Sequence, residues 1–85
     1  MRVDYHKGFK KQFQKLSSKI REHFKHRLIL FIDNPFDPVL QNHPLHGRWD
    51  GFRSINVTGD IRAIYQEIDN INYFVAIGSH STLYS

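Results

Sequence analysis

The sequence predicts an α+β domain in which two N-terminal helices cover one side of a mainly antiparallel sheet. Three observations point there. Apolar residues recur at helical spacing through the first third of the chain. After Gly51 the apolar period changes to two. Two turn sequences, Thr58-Gly59-Asp60 and Asp69-Asn70, divide that later region into three strands, an antiparallel meander.

Residues 1–5 alternate Met, Val and Tyr with Arg and Asp, which suits a short first strand. Phe9, Phe13 and Leu16 then fall at i, i+4 and i+7, an amphipathic helix with lysines on its other face. Ser17-Ser18 interrupt it, and Ser18 is the expected cap of the next helix, with Arg21 at the capping-box position. Ile20, Phe24, Leu28, Phe31 and Ile32 continue the helical spacing to about Asn34. Asn34-Pro35 and Asp37-Pro38 end it, because a residue before proline is pushed out of the α region. Residues 35–50 read as a loop with Pro35, Pro38, Pro44 and Gly47. Arg53, Ile55 and Val57 then alternate with Phe52, Ser54 and Asn56; strands over 61–68 and 71–78 follow. A sheet with helices segregated to one face is the α+β solution.

The chain has 85 residues, which suits a single domain spanning 1–85. It has no cysteine, so disulfides, thiolate metal sites and cysteine nucleophiles are excluded together. Its longest apolar run, residues 28–32, is far short of the roughly 20 residues that span a bilayer. A soluble, cytoplasmic protein without a membrane partner is expected. The charge is uneven. Residues 1–27 hold nine Lys or Arg against two acids, a net of +7, whereas residues 28–85 hold three against six, a net of −3. A basic first third suits a polyanionic partner, although a solvated helix face explains it equally well.

Chemistry concentrates in the later part. Of six histidines, His6, His23 and His26 sit among lysines of the helical region and read as surface residues. His43 and His46 lie in His43-Pro44-Leu45-His46-Gly47, and His80 follows the last strand. A metal site from these three with Asp60 lacks a recognisable ligand framework, since His43 and His46 are three apart in a proline-containing loop. Metal-independent cleavage of RNA needs less. RNA supplies its own nucleophile, the 2′-hydroxyl, and the enzyme moves two protons and neutralises the phosphate. Histidine suits the protons, arginine the phosphate, and an aromatic ring an unpaired base. His43, Asp60, His80 and Tyr84, with Arg53 and Arg62, supply these types. Each also has a plain structural reading: Asp60 as turn chemistry, the arginines as a solvated sheet face, and Trp49 and Phe52 as packing.

Three ordered segments carry a resemblance. They are His43-Pro44-Leu45-His46-Gly47-Arg48-Trp49-Asp50-Gly51-Phe52-Arg53, then Val57-Thr58-Gly59-Asp60-Ile61-Arg62-Ala63-Ile64-Tyr65, then Ile77-Gly78-Ser79-His80-Ser81-Thr82-Leu83-Tyr84. Together they resemble the RelE/ParE toxin superfamily, and within it the YafQ-type mRNA interferases. The resemblance implies a small twisted sheet with two helices on one side, and cleavage of mRNA on the ribosome with no metal or other cofactor. It implies a type II toxin with a cognate antitoxin partner in a toxin-antitoxin hetero-oligomer. It makes His43, Asp60, His80 and Tyr84 the catalytic set, with Arg53, Arg62, Asn56 and His46 toward the substrate. One position departs: where the family carries a further histidine on the first meander strand, this chain has Asn56. The alternative functions within the superfamily are a ParE-like toxin that blocks DNA gyrase without cutting RNA, or an inactive antitoxin-binding relative.

Overall fold

The structure, a computed structural model, describes residues 1–84. Strand β1 (Arg2–Tyr5) leads into helices α1 (Lys7–Gln14) and α2 (Ser18–Asp33). His6 caps α1: its Nδ1 accepts from the Gly8 amide at 3.1 Å, taking up an N–H that a helix start leaves unpaired. Ser17, not Ser18, caps α2. Its extended backbone directs the hydroxyl to accept from the Ile20 amide at 3.2 Å, and Ser18 is already the first helical residue. The helix ends at Asp33, with Asn34 extended (φ −154°, ψ 102°) ahead of Pro35.

The expected meander is β3 (Arg53–Asn56), β4 (Ile61–Ile68) and β5 (Ile71–Ser79). Asp69 and Asn70 turn the β4–β5 hairpin with φ of 52° and 67°, the left-handed pair that matches strand twist. Opposite Ile64 and Tyr65, Val75 is an extra residue that bulges β5. The sheet order is β1-β5-β4-β3-β2, with β1 parallel to β5 and the remaining neighbours antiparallel.

Residues 35–50 are more ordered than a loop. They hold a 3₁₀ turn (Pro38–Leu40), a fifth strand β2 (His43–Pro44) and a second 3₁₀ turn (Gly47–Trp49). None is long enough to show a period. Pro44 is tolerated because β2 is an edge strand. Gly47 (φ 67°) and Gly51 (φ 90°) bound the second turn in conformations that disfavour any side chain. A short helix α3 (His80–Tyr84) closes the described chain.

Both faces of the sheet are covered. Under α1 and α2 lie Phe9, Phe24, Phe31, Leu40, Ile55, Val57, Ala63, Tyr65, Phe74 and Ile77. Edge-to-face rings, such as Phe24 against Phe74 at 5.6 Å and 88°, make much of that core. On the other face Leu45, Ile64, Ala76 and Leu83 form a second cluster, flanked by Trp49, Phe52, Val75 and Tyr84. So the two N-terminal helices share one side as expected, while α3 and the 45–52 segment cover the other. Ile32 departs from the apolar stripe: it is 46 % exposed, because Phe31 takes the core position at the end of α2. Among the described residues no helix is long and apolar enough to cross a membrane.

Candidate active site

On the second face an open cavity of about 390 Å³ is lined by His43, Leu45, His46, Arg62, His80 and Tyr84. Three segments far apart in sequence build it. β2 brings His43, β4 brings Arg62, and α3 brings His80 and Tyr84. Antiparallel register aligns them, since partners across a ladder share a face. His43 pairs with Ser54 and Ser54 with Ile64; one row along, Asn56 pairs with Arg62 and Arg62 with Gly78.

His43 is exposed, and its Nδ1 lies 2.8 Å from the Gln41 carbonyl oxygen. A carbonyl only accepts, so this contact requires Nδ1–H. In the neutral ring Nε2 then holds the lone pair, which makes it the basic atom. Arg62 donates through Nη1 to Asn56 Oδ1 at 2.8 Å and to the carbonyls of Thr58 (3.1 Å) and Gly59 (3.2 Å). These contacts fasten the guanidinium to the β3–β4 turn. Within the described residues Nε and Nη2 make no hydrogen bond, so part of the guanidinium fork is not used within the protein.

The short helix α3 is held at both ends. Ser79 Oγ accepts from the Thr82 amide at 3.2 Å, and the His80 amide donates to the Asp60 carbonyl at 3.2 Å. Leu83, 2 % exposed, anchors it in the second cluster. The His80 and Tyr84 rings, one turn apart, sit 4.6 Å centre to centre at 59°. At the far end the Leu83 carbonyl accepts from Trp49 Nε1 at 2.9 Å and from Arg48 Nη2 at 3.1 Å.

The expected site residues therefore divide. His43, His46, Arg62, His80 and Tyr84 meet at the cavity. Asp60 borders it through its backbone, and its side chain is exposed in the turn. Asn56, beside Arg62 on the neighbouring strand, has its side-chain carbonyl oxygen engaged by that residue and does not line the cavity. Arg53 is on the other face: it pairs with Tyr65, an odd step from Arg62 along β4. There its Nε donates to Asn42 Oδ1 at 2.8 Å and its guanidinium lies 5.3 Å from the Phe36 ring centre. Asn42 Nδ2 in turn donates to Tyr65 Oη at 2.8 Å and to the Pro35 carbonyl at 2.9 Å. This knot holds the approach to β2 from behind. Sequence reasoning missed Leu45, Asn42 and the polar use of Trp49. For Trp49 a signal existed, since an indole N–H that is half-buried needs an acceptor. Among the described residues no group of three His, Cys, Asp or Glu is arranged to hold a metal ion.

A family model described as "Bacterial toxin of type II toxin-antitoxin system, YafQ" matches residues 1–85. The mRNA interferase toxin YafQ of Escherichia coli K12 is 36 % identical over 62 residues, which is 71 % of this chain and 67 % of that protein. The crystal structure of YafQ from E. coli BL21(DE3) superposes with a TM-score of 0.84 at 27 % identity and covers 100 % of both chains. YafQ in the E. coli DinJ-YafQ toxin-antitoxin complex gives 0.80 at 26 %, covering 98 % of this chain and 96 % of that one.

Proposed function

The chain belongs to the YafQ family of bacterial type II toxins, and from that premise we propose how it acts. It is an mRNA interferase, an endoribonuclease whose partner is a cognate antitoxin, as DinJ is for the E. coli relative. One observation carries the mechanism: His43 on β2 and His80 just past β5, with two strands between them in the sheet, line one cavity together with Arg62.

In this mechanism His43 Nε2 takes the proton of a ribose 2′-hydroxyl. The 2′-oxygen attacks the adjacent phosphorus, forming a P–O2′ bond as the bond to the 5′-oxygen breaks. Protonated His80 gives its proton to that leaving oxygen. The products are a 2′,3′-cyclic phosphate and a 5′-hydroxyl, and proton exchange with water resets both rings. Arg62 neutralises the charge that grows on the phosphoryl oxygens, using the donors its structural bonds leave over. Tyr84, beside His80, is placed to stack on an adjoining base. Asp60 orients His80 through its carbonyl, while Asn56 holds Arg62 and Arg53 holds the approach to His43.

The natural substrate in this reading is mRNA on the ribosome, in the cytoplasm. The +7 of residues 1–27 supplies a surface for ribosomal RNA. Single-turnover cleavage of ribosome-bound mRNA tests the assignment. His43→Ala and His80→Ala each slow it by roughly 10²–10⁴. Full-rate cleavage by His80→Ala removes the general acid, and intact mRNA with gyrase-dependent DNA damage in induced cells removes the function.

A further inference from the structure

We propose that Trp49 is a positioning residue for the cleavage reaction, acting on His80 and Tyr84 through the main-chain carbonyl of Leu83. The inference rests on the mechanism above, in which α3 carries the general acid.

A five-residue helix cannot hold itself. The last four carbonyls of any helix lack an intrahelical partner, which in α3 leaves almost the whole element dependent on outside groups. At its start α3 has the Ser79 hydroxyl and the Asp60 carbonyl. In its middle the Leu83 side chain is buried against Leu45, Ile64 and Ala76. Its end is fixed by the indole N–H of Trp49, 2.9 Å from the Leu83 carbonyl, with Arg48 as a second donor at 3.1 Å. Leu83 immediately precedes Tyr84, whose ring lies against His80 one turn back. Displacing the Leu83 carbonyl therefore moves the Tyr84 ring relative to His80, which is held at the other end of the helix, and loosens the contact between them.

The indole is itself aimed. It packs edge-on against Phe52, with ring centres 5.4 Å apart and planes at 80°, inside a turn bounded by two left-handed glycines. That turn lies between β2 and β3, so the Trp49 indole N–H, with Arg48 beside it, ties the segment that follows the His43 strand to the helix carrying His80. Two groups on separate elements that exchange protons with one bound substrate depend on such a spacing, and about 1 Å of misplacement costs on the order of 10²-fold in rate.

Trp49 is the sole tryptophan of the chain, which permits a test at the level of one atom. Protein made in a tryptophan auxotroph with β-(3-benzothienyl)alanine keeps nearly the same ring shape with sulfur in place of the N–H; 7-azatryptophan keeps the N–H. Three readouts are taken for each: maximal single-turnover cleavage at saturating ribosome-bound mRNA, the unfolding midpoint, and NMR contacts between the His80 and Tyr84 rings in the free protein. With benzothienylalanine we expect maximal cleavage to fall roughly tenfold, with apparent substrate affinity held, His80–Tyr84 contacts weakened and the midpoint little changed. The 7-aza protein restores rate and contacts. Trp49→Phe is the genetic counterpart should incorporation fail. Unchanged ring contacts with the N–H gone overturn the inference, as does a loss of rate that merely tracks unfolding. Weakened contacts with full cleavage overturn instead the reading of α3 as carrier of the general acid.

Discussion

Replacing Asn42 by alanine removes three hydrogen bonds made by one side chain: from Arg53 Nε at 2.8 Å, to Tyr65 Oη at 2.8 Å and to the Pro35 carbonyl at 2.9 Å. One involves a charge and is worth about 1.5–3 kcal/mol, and the other two are worth about 0.5–1.5 kcal/mol each. Arg53 is only half-buried and can turn to water, which places the total near the low end, about 2–3 kcal/mol. Tyr65 cannot do the same, since it is 3 % exposed and its hydroxyl stays inside. For a domain of this size about 1 kcal/mol moves the midpoint by roughly 4–8 °C, so the expected fall is roughly 10–20 °C. Asn42→Asp should lose less. A carboxylate still accepts from Arg53, and from the phenol if Tyr65 donates, but it faces the Pro35 carbonyl without a proton to give. Urea unfolding with thermal melts measures the stability, and cleavage below the melting range measures the site. Asn42 precedes His43, so the alanine variant should also cleave more slowly while folded. A loss under about 0.5 kcal/mol, or Asp falling further than Ala, would refute the account of this knot as the anchor behind β2.

Two more expectations follow from burial. Ser54 is fully buried on the cavity face, and its hydroxyl has no partner among the described residues, so Ser54→Ala should be neutral or stabilising by up to about 1–2 kcal/mol in urea unfolding; a clear loss would mean that the hydroxyl is satisfied in solution. Burial, and then the charge of Asp4, raise the Tyr5 phenol above its ordinary 10.0. The folded state therefore holds that proton more tightly than the unfolded one, so this contribution is complete below pH about 10 and is lost as pH rises through the folded value. Tyr5→Phe should flatten the alkaline decline in thermal midpoint, and an unaltered decline would assign it to other groups.

Much of the site was legible because its residue types are few and ordered along the chain. His43, His80 and Tyr84 stand in motifs, and the structure brings them together with Arg62. Arg53 shows where order along the chain falls short. It stands in phase with Ile55 and Val57, yet as a cation it was grouped with Arg62 on a solvated face or at the substrate; pairing with Tyr65 puts it on the face that Ile55 and Val57 bury. Asn56 was matched to a proton-transferring position, and its amide holds Arg62 instead. Both cases turn on what lies across a ladder, which depends on register.

The sequence by itself determined what repeats locally: the apolar stripes of α1 and α2, the period-two meander, its two turns, the charge asymmetry and the motifs that identify the family. Each is carried within a few residues, because helix and strand periods are properties of the backbone. Tertiary structure alone decided that two residues at 43–44 become an edge strand, that α3 packs on the face away from the other helices, and that Trp49 reaches the Leu83 carbonyl 34 residues on. Elements that short have too few bonds of their own to be stable. They exist because the rest of the sheet supplies partners for their carbonyls and cover for their apolar side chains, and a local stretch of sequence does not contain those partners.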